Sequence, residues 1–371
     1  MAFLNPGQIN PSPELWRKYV VGAVQGMEKF IAGPLLERVG ARISLPEATG
    51  PSIQVHQESP LDFLGNKEVD FRRGIGANPQ SIGKRRTSWN DSVTLPAYTY
   101  GADVDEQEEF AGMPFGSVLE RRQLQAYMAG LIDLEGRFAD IIFGNTTIPW
   151  ASTTWANIPS APGGAAPPWV QLVLDNPATG LPVNALRSLV ENVRVNAYGL
   201  TPNALILEPK SAQALGQHNQ ILGATTTGAA STQLRDIQLT NEELCDRLRK
   251  LLGIQHVHVM ESVRRTNNLG QPTATISYTA SGAGLWMGVL GSALPVSVTK
   301  GSLSIVGGGL IEVVYKDFEP IMKENEHATG FINYVKTYRE YIEVGRQRST
   351  SNPAGSDATN PFGYYVSAVV A

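Results

Sequence analysis

A stretch of about 40 residues between Phe143 and Pro182 constrains the fold more than any other feature of this chain. It has little helical or strand periodicity, yet it carries three tryptophans, Trp150, Trp155 and Trp169. Loops of this length inside a compact domain are uncommon unless they are functional or disordered. The stretch is too apolar for a solvated linker. We therefore predict that neighbouring copies of the same chain hold it in place, with Trp150 and Trp155 as candidate contacts between subunits.

The composition indicates a surface that other molecules cover. Of the 371 residues, 42% are hydrophobic, which suffices for sizeable cores and for two ordinary domains. Charged residues make up 17%, well below the roughly 25% of a typical globular protein. The net charge of -4 argues against a protein that coats nucleic acid through a basic face, whereas a shell around a polyanion fits this sign. We therefore expect extensive burial between chains.

The sequence contains neither a membrane-spanning pattern nor a disulfide framework. No apolar run approaches the ~20 residues of a membrane-spanning helix, and residues 1–16 lack the charged start and apolar core of a signal peptide. We therefore expect the chain to be made, and to remain, in the cytosol of the producing cell. Its single cysteine, Cys245, excludes an internal disulfide framework, so stability must come from packing and association.

Two segments in the first hundred residues have distinct patterns. Ser12 and Pro13 place a helix start ahead of an apolar face that ends at Gly33, which predicts an amphipathic arm. From Ser52 to Tyr100, short alternating runs are separated by Gly and Pro, which predicts an extended hairpin. Charge is sorted along this excursion, since the far limb is basic and the return segment is acidic. The residues are Arg72, Arg73, Lys84, Arg85 and Arg86 on the far limb, and Asp103, Asp105, Glu106, Glu108 and Glu109 on the return.

The clearest single element is a long helix. Ser117 and Glu120 form the S-x-x-E capping box, in which each side chain binds a backbone donor at the helix start. Apolar residues then recur at three- and four-residue steps as far as Ile142, and Gly144 stands where a left-handed C-terminal cap belongs. At 1.5 Å per residue the helix would extend about 40 Å, a length suited to a structural spine.

Beyond Pro182 the chain alternates between helices and strands. Thr240 and Glu243 repeat the capping box, and Gly253 stops that helix ahead of a strand. The predicted order is a helix from Val183, a strand over Ala204–Leu207, a short helix from Ser211, the Thr240 helix, a strand over Ile254–Met260, strands around Ile276, Trp286 and Val313, a long strand from Phe331, and a final strand over Tyr364–Val370.

Three runs in this region carry a resemblance to a known family. The first comprises Trp169, Asn176-Pro177, the Val183–Val195 helix, the segment Gly199–Leu207 with its G-x-x-P-N pattern, Leu215, His218 and Ile221. The second is Leu248–Val259, a leucine-rich helix, a Leu-Gly-Ile junction and a valine-rich strand, and the third is Leu285–Gly288. These runs, in this order, are similar to those of the major capsid proteins of tailed bacteriophages, which share the Hong Kong 97 type fold. Asn219 stands where that family has a proline after the histidine.

The resemblance implies an α+β chain with the Hong Kong 97 (HK-97) type capsid fold. It implies an N-terminal arm over residues 1–50, an extended loop over 51–100, a peripheral domain with the long spine helix over 101–182 and 321–371, and an axial domain with a mixed sheet and helices over 183–320. Hexamers and pentamers of such a chain close the icosahedral shell of a virion, assembled in the host cytoplasm. The implied partners are portal, scaffolding and decoration proteins and non-specifically contacted double-stranded DNA, with no membrane and no cofactor.

In that family the extended loop of each subunit lies across its neighbour. The basic limb and the acidic return are therefore candidate contacts between subunits. The alternative is that both are solvated faces, since exposed ion pairs contribute only ~0 to 1 kcal/mol each. Some members join their subunits by a lysine-to-asparagine bond. Lys67 and Lys84 lie in the corresponding region by order alone, no residue match supports such a bond, and we expect none.

Each candidate catalytic feature has a better structural explanation. His256 and His258 share one face of a strand and could bind a metal, but no third ligand lies nearby. Cys245 lies in a leucine-rich helix, where a thiol behaves as a small buried hydrophobe. The glycines of Gly282–Gly288 miss the dinucleotide fingerprint, and Gly307–Gly309 lacks the Lys-Ser or Lys-Thr of a phosphate loop. We therefore expect no catalytic, cofactor-binding or metal-binding residues and no enzyme activity.

The sequence leaves alternatives to a phage shell protein open. An encapsulin-like nanocompartment would share the fold but enclose proteins. A soluble enzyme would use the alternating region as a catalytic domain and behave as a monomer. A tail or portal protein would assemble into tubes or rings. Shell size, host and the nucleic acid content of the particle do not follow from the sequence.

Overall fold

The structure, a computed structural model, describes part of the chain. The described residues are 42–45, 52–58, 88–95, 97–104, 129, 132–133, 135–143, 150–154, 159–161, 164–165, 182–222, 239–261, 263–265, 276–278, 284–292, 295–299, 301–306, 310–327, 330–343 and 360–367. The predicted arm, the capping box at Ser117 and the cap at Gly144 lie outside these residues.

Strands dominate the described residues. They are β1 Arg42–Ser44, β2 Ser52–Glu58, β3 Ser88–Thr94, β4 Ala97–Val104, β5 Trp150–Thr154, β6 Pro159–Ala161, β7 Gly164–Ala165, β8 Ala204–Leu207, β9 His256–Val259, β10 Val263–Arg265, β11 Ile276–Tyr278, β12 Leu285–Gly288, β13 Ser297–Thr299, β14 Ser302–Val306, β15 Leu310–His327, β16 Gly330–Glu343 and β17 Asn360–Ser367. The helices are α1 Pro182–Asn196, α2 Pro209–Gly216, α3 Asn219–Leu222 and α4 Asn241–Leu252, and residues 135–143 form a further helix.

A five-stranded sheet of order β5-β17-β12-β8-β9 organises the centre of the described region. β8 and β12 are buried at every position, which explains why their sequences are apolar throughout instead of alternating. One face of the sheet packs on α1, α2 and α4 through a common hydrophobic core that includes Leu186, Leu205 and Leu244. On the other face, Phe143 at the end of the 135–143 helix makes an edge-to-face contact with Tyr365 of β17. The arrangement has three layers.

Local sequence signals set the bounds of α4. Thr240 caps its first turn, and the reciprocal bond from the Thr240 backbone to the Glu243 side chain completes the capping box predicted from the sequence. Gly253 ends the helix in the left-handed conformation, with φ of 69°. The chain then enters β9, where Val257 and Val259 point into the core and the intervening histidines point away from it. The predicted unit of helix, glycine and strand is confirmed.

Two four-stranded sheets share a second core. β2 and β3 form the antiparallel hairpin predicted for the extended loop, and β14 and β13 continue that sheet. The other sheet has the order β1-β15-β16-β4, in which β15 and β16 form a long antiparallel ribbon. Ile53, Val55 and Leu303 from the first sheet pack with Ile311 and Val313 at the start of β15. The ribbon is thus anchored at the root of the hairpin.

The terminal strand lies inside the five-stranded sheet. β17 pairs with β5 on one side and with β12 on the other, where Trp286 lies opposite Tyr365. It therefore joins residues of the predicted 101–182 and 183–320 segments in one sheet. The mixed α+β content agrees with the predicted class. Among the helices of the described residues, none has the length and apolarity needed to span a membrane.

Candidate functional site

Most of the predicted contacts between subunits lie outside the described residues. Asp103 and Trp150 lie within them. Asp103 is on β4, opposite Ile332 of β16, so its backbone is part of the ribbon sheet. The predictions that fall outside are Arg72, Arg73, Lys84, Arg85, Arg86, Asp105, Glu106, Glu108, Glu109 and Trp155.

Trp150 is a core residue of its own subunit, which corrects the prediction that it contacts a neighbour. It is 1% exposed, and its Nε1 donates a hydrogen bond to the Ile141 carbonyl at 2.9 Å. Its ring makes an edge-to-face contact with Trp286, with the centroids 5.3 Å apart. The apolar stretch that begins here is therefore held at its start by the five-stranded sheet of the same chain.

Two glycines allow the tryptophan pair to reach the sheet. A Cβ on Gly363 would lie 2.5 Å from Cε3 of Trp150 and 2.8 Å from Nε1 of Trp286, and a Cβ on Gly288 would strike the Trp286 ring. The Trp286 Nε1 is buried without a hydrogen-bond acceptor in the described part of the chain.

Asn203 joins the five-stranded sheet to the ribbon. Its Nδ2 donates to the Leu290 carbonyl at 2.8 Å, and the Leu290 N–H donates to its Oδ1 at 2.7 Å. Beyond this pair, the Gly291 N–H donates to the carbonyl of Leu310, the first residue of β15, at 3.0 Å, and the Leu310 N–H donates to Val289 at 3.1 Å. The side chain of Asn203, the asparagine of the G-x-x-P-N pattern, thus continues the hydrogen bonding between β8 and β12 beyond the last paired residues. Movement of the ribbon relative to this sheet would strain these bonds.

Tyr198 lies at the C-terminus of α1 with an unusual backbone. Its φ is 56°, and the Gly199 N–H reaches back to the Arg194 carbonyl at 2.8 Å, as in a Schellman motif. The position that usually takes glycine therefore carries a bulky ring. That ring packs edge-to-face on Phe362 of β17, with centroids 6.0 Å apart, in a small core with Ala197 and Val289. The contact of Tyr198 with Phe362 thus packs the end of α1 against β17 and holds Tyr198 in its strained conformation.

The structure describes three of the residues weighed as catalytic or metal-binding, Cys245, His256 and His258. Cys245 is buried in the core of α4, as predicted. The His256 and His258 rings stack at 6.3 Å on one face of β9, also as predicted. Across the described ranges, no group of three or more His, Cys, Asp or Glu side chains is placed to hold a metal ion.

Three arginines around α4 donate to backbone carbonyls. Arg187 of α1 reaches the Leu251 carbonyl at 3.3 Å, and Arg247 reaches the Ile221 carbonyl at 2.8 Å. Arg249 reaches the Val257 carbonyl at 3.1 Å. These side chains satisfy acceptors at a helix end, at α3 and on β9, the edge strand of the five-stranded sheet. They hold the subunit together.

The burial of two polar residues was not predicted from the sequence. Glu208 is 3% exposed and His218 is 1% exposed. His218 accepts a hydrogen bond from the Gln220 N–H through Nδ1 at 3.1 Å, and burial lowers its pKa to about 4. Burial raises the pKa of Glu208, although a hydrogen bond from the Gly284 N–H opposes that effect. The available signal was a polar residue at the end of an apolar run, since Glu208 follows β8 directly.

Comparison with known proteins gives likeness in structure alone. No protein-family model matches the chain, and no curated protein matches it in sequence. The chain is similar to a phage-related protein from Bordetella bronchiseptica RB50, at 12% identity and a TM-score of 0.53, over 96% of this chain and 96% of that chain.

Two further solved structures give weaker likenesses. One is a virus-like particle from Pyrococcus furiosus, at 11% identity and a TM-score of 0.45, over 95% of this chain and 98% of that chain. The other is the capsid of the cyanophage P-SCSP1u, at 10% identity and a TM-score of 0.45, over 88% and 86% of the two chains. The chain therefore has the fold of the phage-related protein, which confirms, at the level of the fold, the phage resemblance predicted from the sequence.

Proposed function

We propose that this chain is a major capsid protein that self-assembles into the icosahedral shell around the double-stranded DNA of a tailed phage. It would act mechanically, without catalysis. The proposed division is an arm over residues 1–50, an extended loop over 51–100, a peripheral domain over 101–182 and 321–371, and an axial domain over 183–320 that also takes in β17. Assembly would take place in the host cytoplasm, with portal, scaffolding and decoration proteins as partners.

The observation that carries the proposal is the fold, which the chain shares with a phage-related protein over 96% of both chains at a TM-score of 0.53. The composition supports it, since only 17% of the residues are charged, well below the roughly 25% of a typical globular protein. Coverage of the surface by copies of the same chain would account for so few charges.

The electrostatics of the described residues support a shell that does not grip its contents. Arg187, Arg247 and Arg249 donate to backbone carbonyls within the subunit. The whole chain carries a net charge of -4. A protein that binds DNA tightly usually carries a strong positive charge on one face. Contact with packaged DNA would therefore be weak and independent of sequence.

Electron microscopy of the full-length purified protein tests the proposal. We expect uniform closed particles, and particles from infected cells should contain nuclease-protected DNA. A monomer at micromolar concentration would favour a soluble enzyme, and tubes or rings would favour a tail or portal protein. Closed particles that hold protein cargo and no nucleic acid would favour an encapsulin-like compartment. Any of these three results would contradict the proposal.

A further inference from the structure

The corner where β8, α2, β12 and β17 meet contains a buried carboxyl group that the proposed function does not use. Glu208 follows β8 and directly precedes α2. Its backbone N–H donates to the Gly284 carbonyl at 3.1 Å, and one of its carboxyl oxygens accepts from the Gly284 N–H. Ser211 of α2 also donates to the Gly284 carbonyl, at 2.9 Å. The residue before β12 is therefore bound by the side chain and backbone of Glu208 together.

The fourth element at this corner contributes Tyr365. A Cβ built on Gly284 would lie 2.9 Å from Oε2 of Glu208 and 2.9 Å from the Tyr365 hydroxyl oxygen. The two polar groups thus converge on one point, where only a glycine fits. Burial, and after it the charge of Glu208, raises the pKa of the Tyr365 hydroxyl. A carboxyl group that keeps its proton can accept from Gly284 with one oxygen and donate with the other.

Lys210 is the charged residue that affects the pKa of Glu208. Lys210 favours the ionised carboxylate, but its side chain is exposed, so solvent screens the attraction. Burial opposes ionisation and is the larger effect on the pKa of Glu208. The ionised carboxylate is therefore held in a site that solvates it poorly.

We propose that Glu208 is a proton-operated latch, whose uncharged carboxyl group closes the start of β12 and the end of β17 onto α2 and whose ionisation loosens this corner. The stabilising effect is complete below the ordinary glutamate pKa of 4.5 and is lost as the pH rises through the higher pKa of the folded state. The five-stranded sheet would thus be most tightly closed in mildly acidic solution.

Unfolding by urea between about pH 4.5 and about pH 7.5 tests the latch in the full-length protein. Glu208→Gln keeps an acceptor for the Gly284 N–H but has no charge to lose. We expect the urea midpoint of this variant to rise relative to the natural protein as the pH increases. Glu242→Gln, on the exposed face of the first turn of α4, is the matched control and should track the natural protein. A difference between Glu208→Gln and the natural protein that does not change with pH would overturn the proposal.

A second variant keeps the test decisive if Glu208→Gln does not fold. Tyr365→Phe retains the ring that contacts Phe143 and removes the hydroxyl group beside the carboxyl. Hydrogen exchange at the amides of Leu285–Gly288, corrected for intrinsic rates, reports on the closure of β12. In the natural protein and in Tyr365→Phe, which both keep Glu208, we expect protection to fall as the pH rises. Protection that does not change with pH in the natural protein would refute the latch.

Discussion

Backbone strain at Tyr198 is offset by one aromatic contact. The left-handed conformation costs a non-glycine residue of order 1 kcal/mol, and a bulky residue adopts it only when its surroundings demand it. Here the demand comes from Phe362, whose ring Tyr198 meets at 6.0 Å. The contact ties the end of α1 to the last described strand of the chain.

Substitutions at Tyr198 separate the strain from the contact. Tyr198→Ala loses the ring and keeps the strain, whereas Tyr198→Gly loses the ring and relieves the strain. We therefore expect the glycine variant to be more stable than the alanine variant by about 1 kcal/mol, measured by urea denaturation. Tyr198→Phe, which retains the ring, should stay close to the natural protein. An alanine variant as stable as the glycine variant would show that the backbone here is unstrained.

His218 makes the fold sensitive to acid. Burial lowers its pKa to about 4 from an ordinary 6.5, so the unfolded chain takes up a proton that the folded chain refuses. The free energy of unfolding should fall as the pH drops from 6.5 towards 4, by at most about 3 kcal/mol. His218→Gln should remove this loss, as measured by thermal unfolding at several pH values, and His56→Gln on β2 serves as the control. If all three proteins lose the same stability as the pH falls, titratable groups other than His218 cause the loss.

At the scale of elements, β17 depends on two glycines that lie under indole rings. A methyl group on Gly363 would lie 2.5 Å from Trp150, a distance that real Cβ atoms do not adopt. Gly363→Ala should therefore displace the two tryptophan rings from the sheet. We expect it to lower the free energy of unfolding by about 1 to 3 kcal/mol, the usual cost of overpacking a core.

Gly216→Ala is the matched control for that substitution. Its Cβ would meet the Leu239 carbonyl at 3.6 Å, an ordinary contact, and it lies at the end of α2. Circular dichroism melts should show a large loss for the β17 variant and little change for the α2 variant. If both variants melt like the natural protein, Trp150 and Trp286 are not packed as described.

The elements that the sequence predicted well are those specified by neighbouring residues. The bounds of α4 follow from Thr240 and Gly253, a few residues from the turns they control. The sequence predicted a final strand over Tyr364–Val370, and β17 spans Asn360–Ser367. Its partners were not predicted, because β12 lies about seventy residues earlier in the chain. Trp150 was misjudged for the same reason. A tryptophan in an irregular segment can pack in its own subunit or against a neighbour, and its sequence does not distinguish the two. The contact of Trp150 with Trp286 shows that it packs in its own subunit.

The buried polar residues were missed for a different reason. Glu208 and His218 look like ordinary surface residues in a sequence, since burial of a polar group is a property of the surrounding fold. Asn203, by contrast, stood out in its G-x-x-P-N pattern, but its role did not. The pattern marks a side chain that pairs with the Leu290 backbone, and that pairing requires a strand end about ninety residues away.

Two hydrophobic cores of different size stabilise the described part of the subunit. The larger core unites α1, α2 and α4 with the five-stranded sheet, while a smaller one joins the hairpin to the ribbon. Bonds from Val289–Gly291 to Leu310 connect the two regions. Under the proposed function, such a subunit would keep its sheet and helices intact while neighbouring copies contact its hairpin.

The basic limb that follows β2 is expected to contact neighbouring subunits during assembly. Reversing Arg85 and Arg86 to Glu should impair assembly, because a limb that meets acidic residues of a neighbour would then repel them. The single subunit should keep its fold, since β2 and β3 pair through their backbones and pack through Ile53 and Val55. Arg194→Glu with Lys250→Glu changes the net charge equally on exposed helix faces outside the hairpin and is the control. Particle yield and resistance to salt, scored by sedimentation and electron microscopy, decide the outcome. Shells of normal yield from the Arg85 and Arg86 variant would show that the limb is merely solvated.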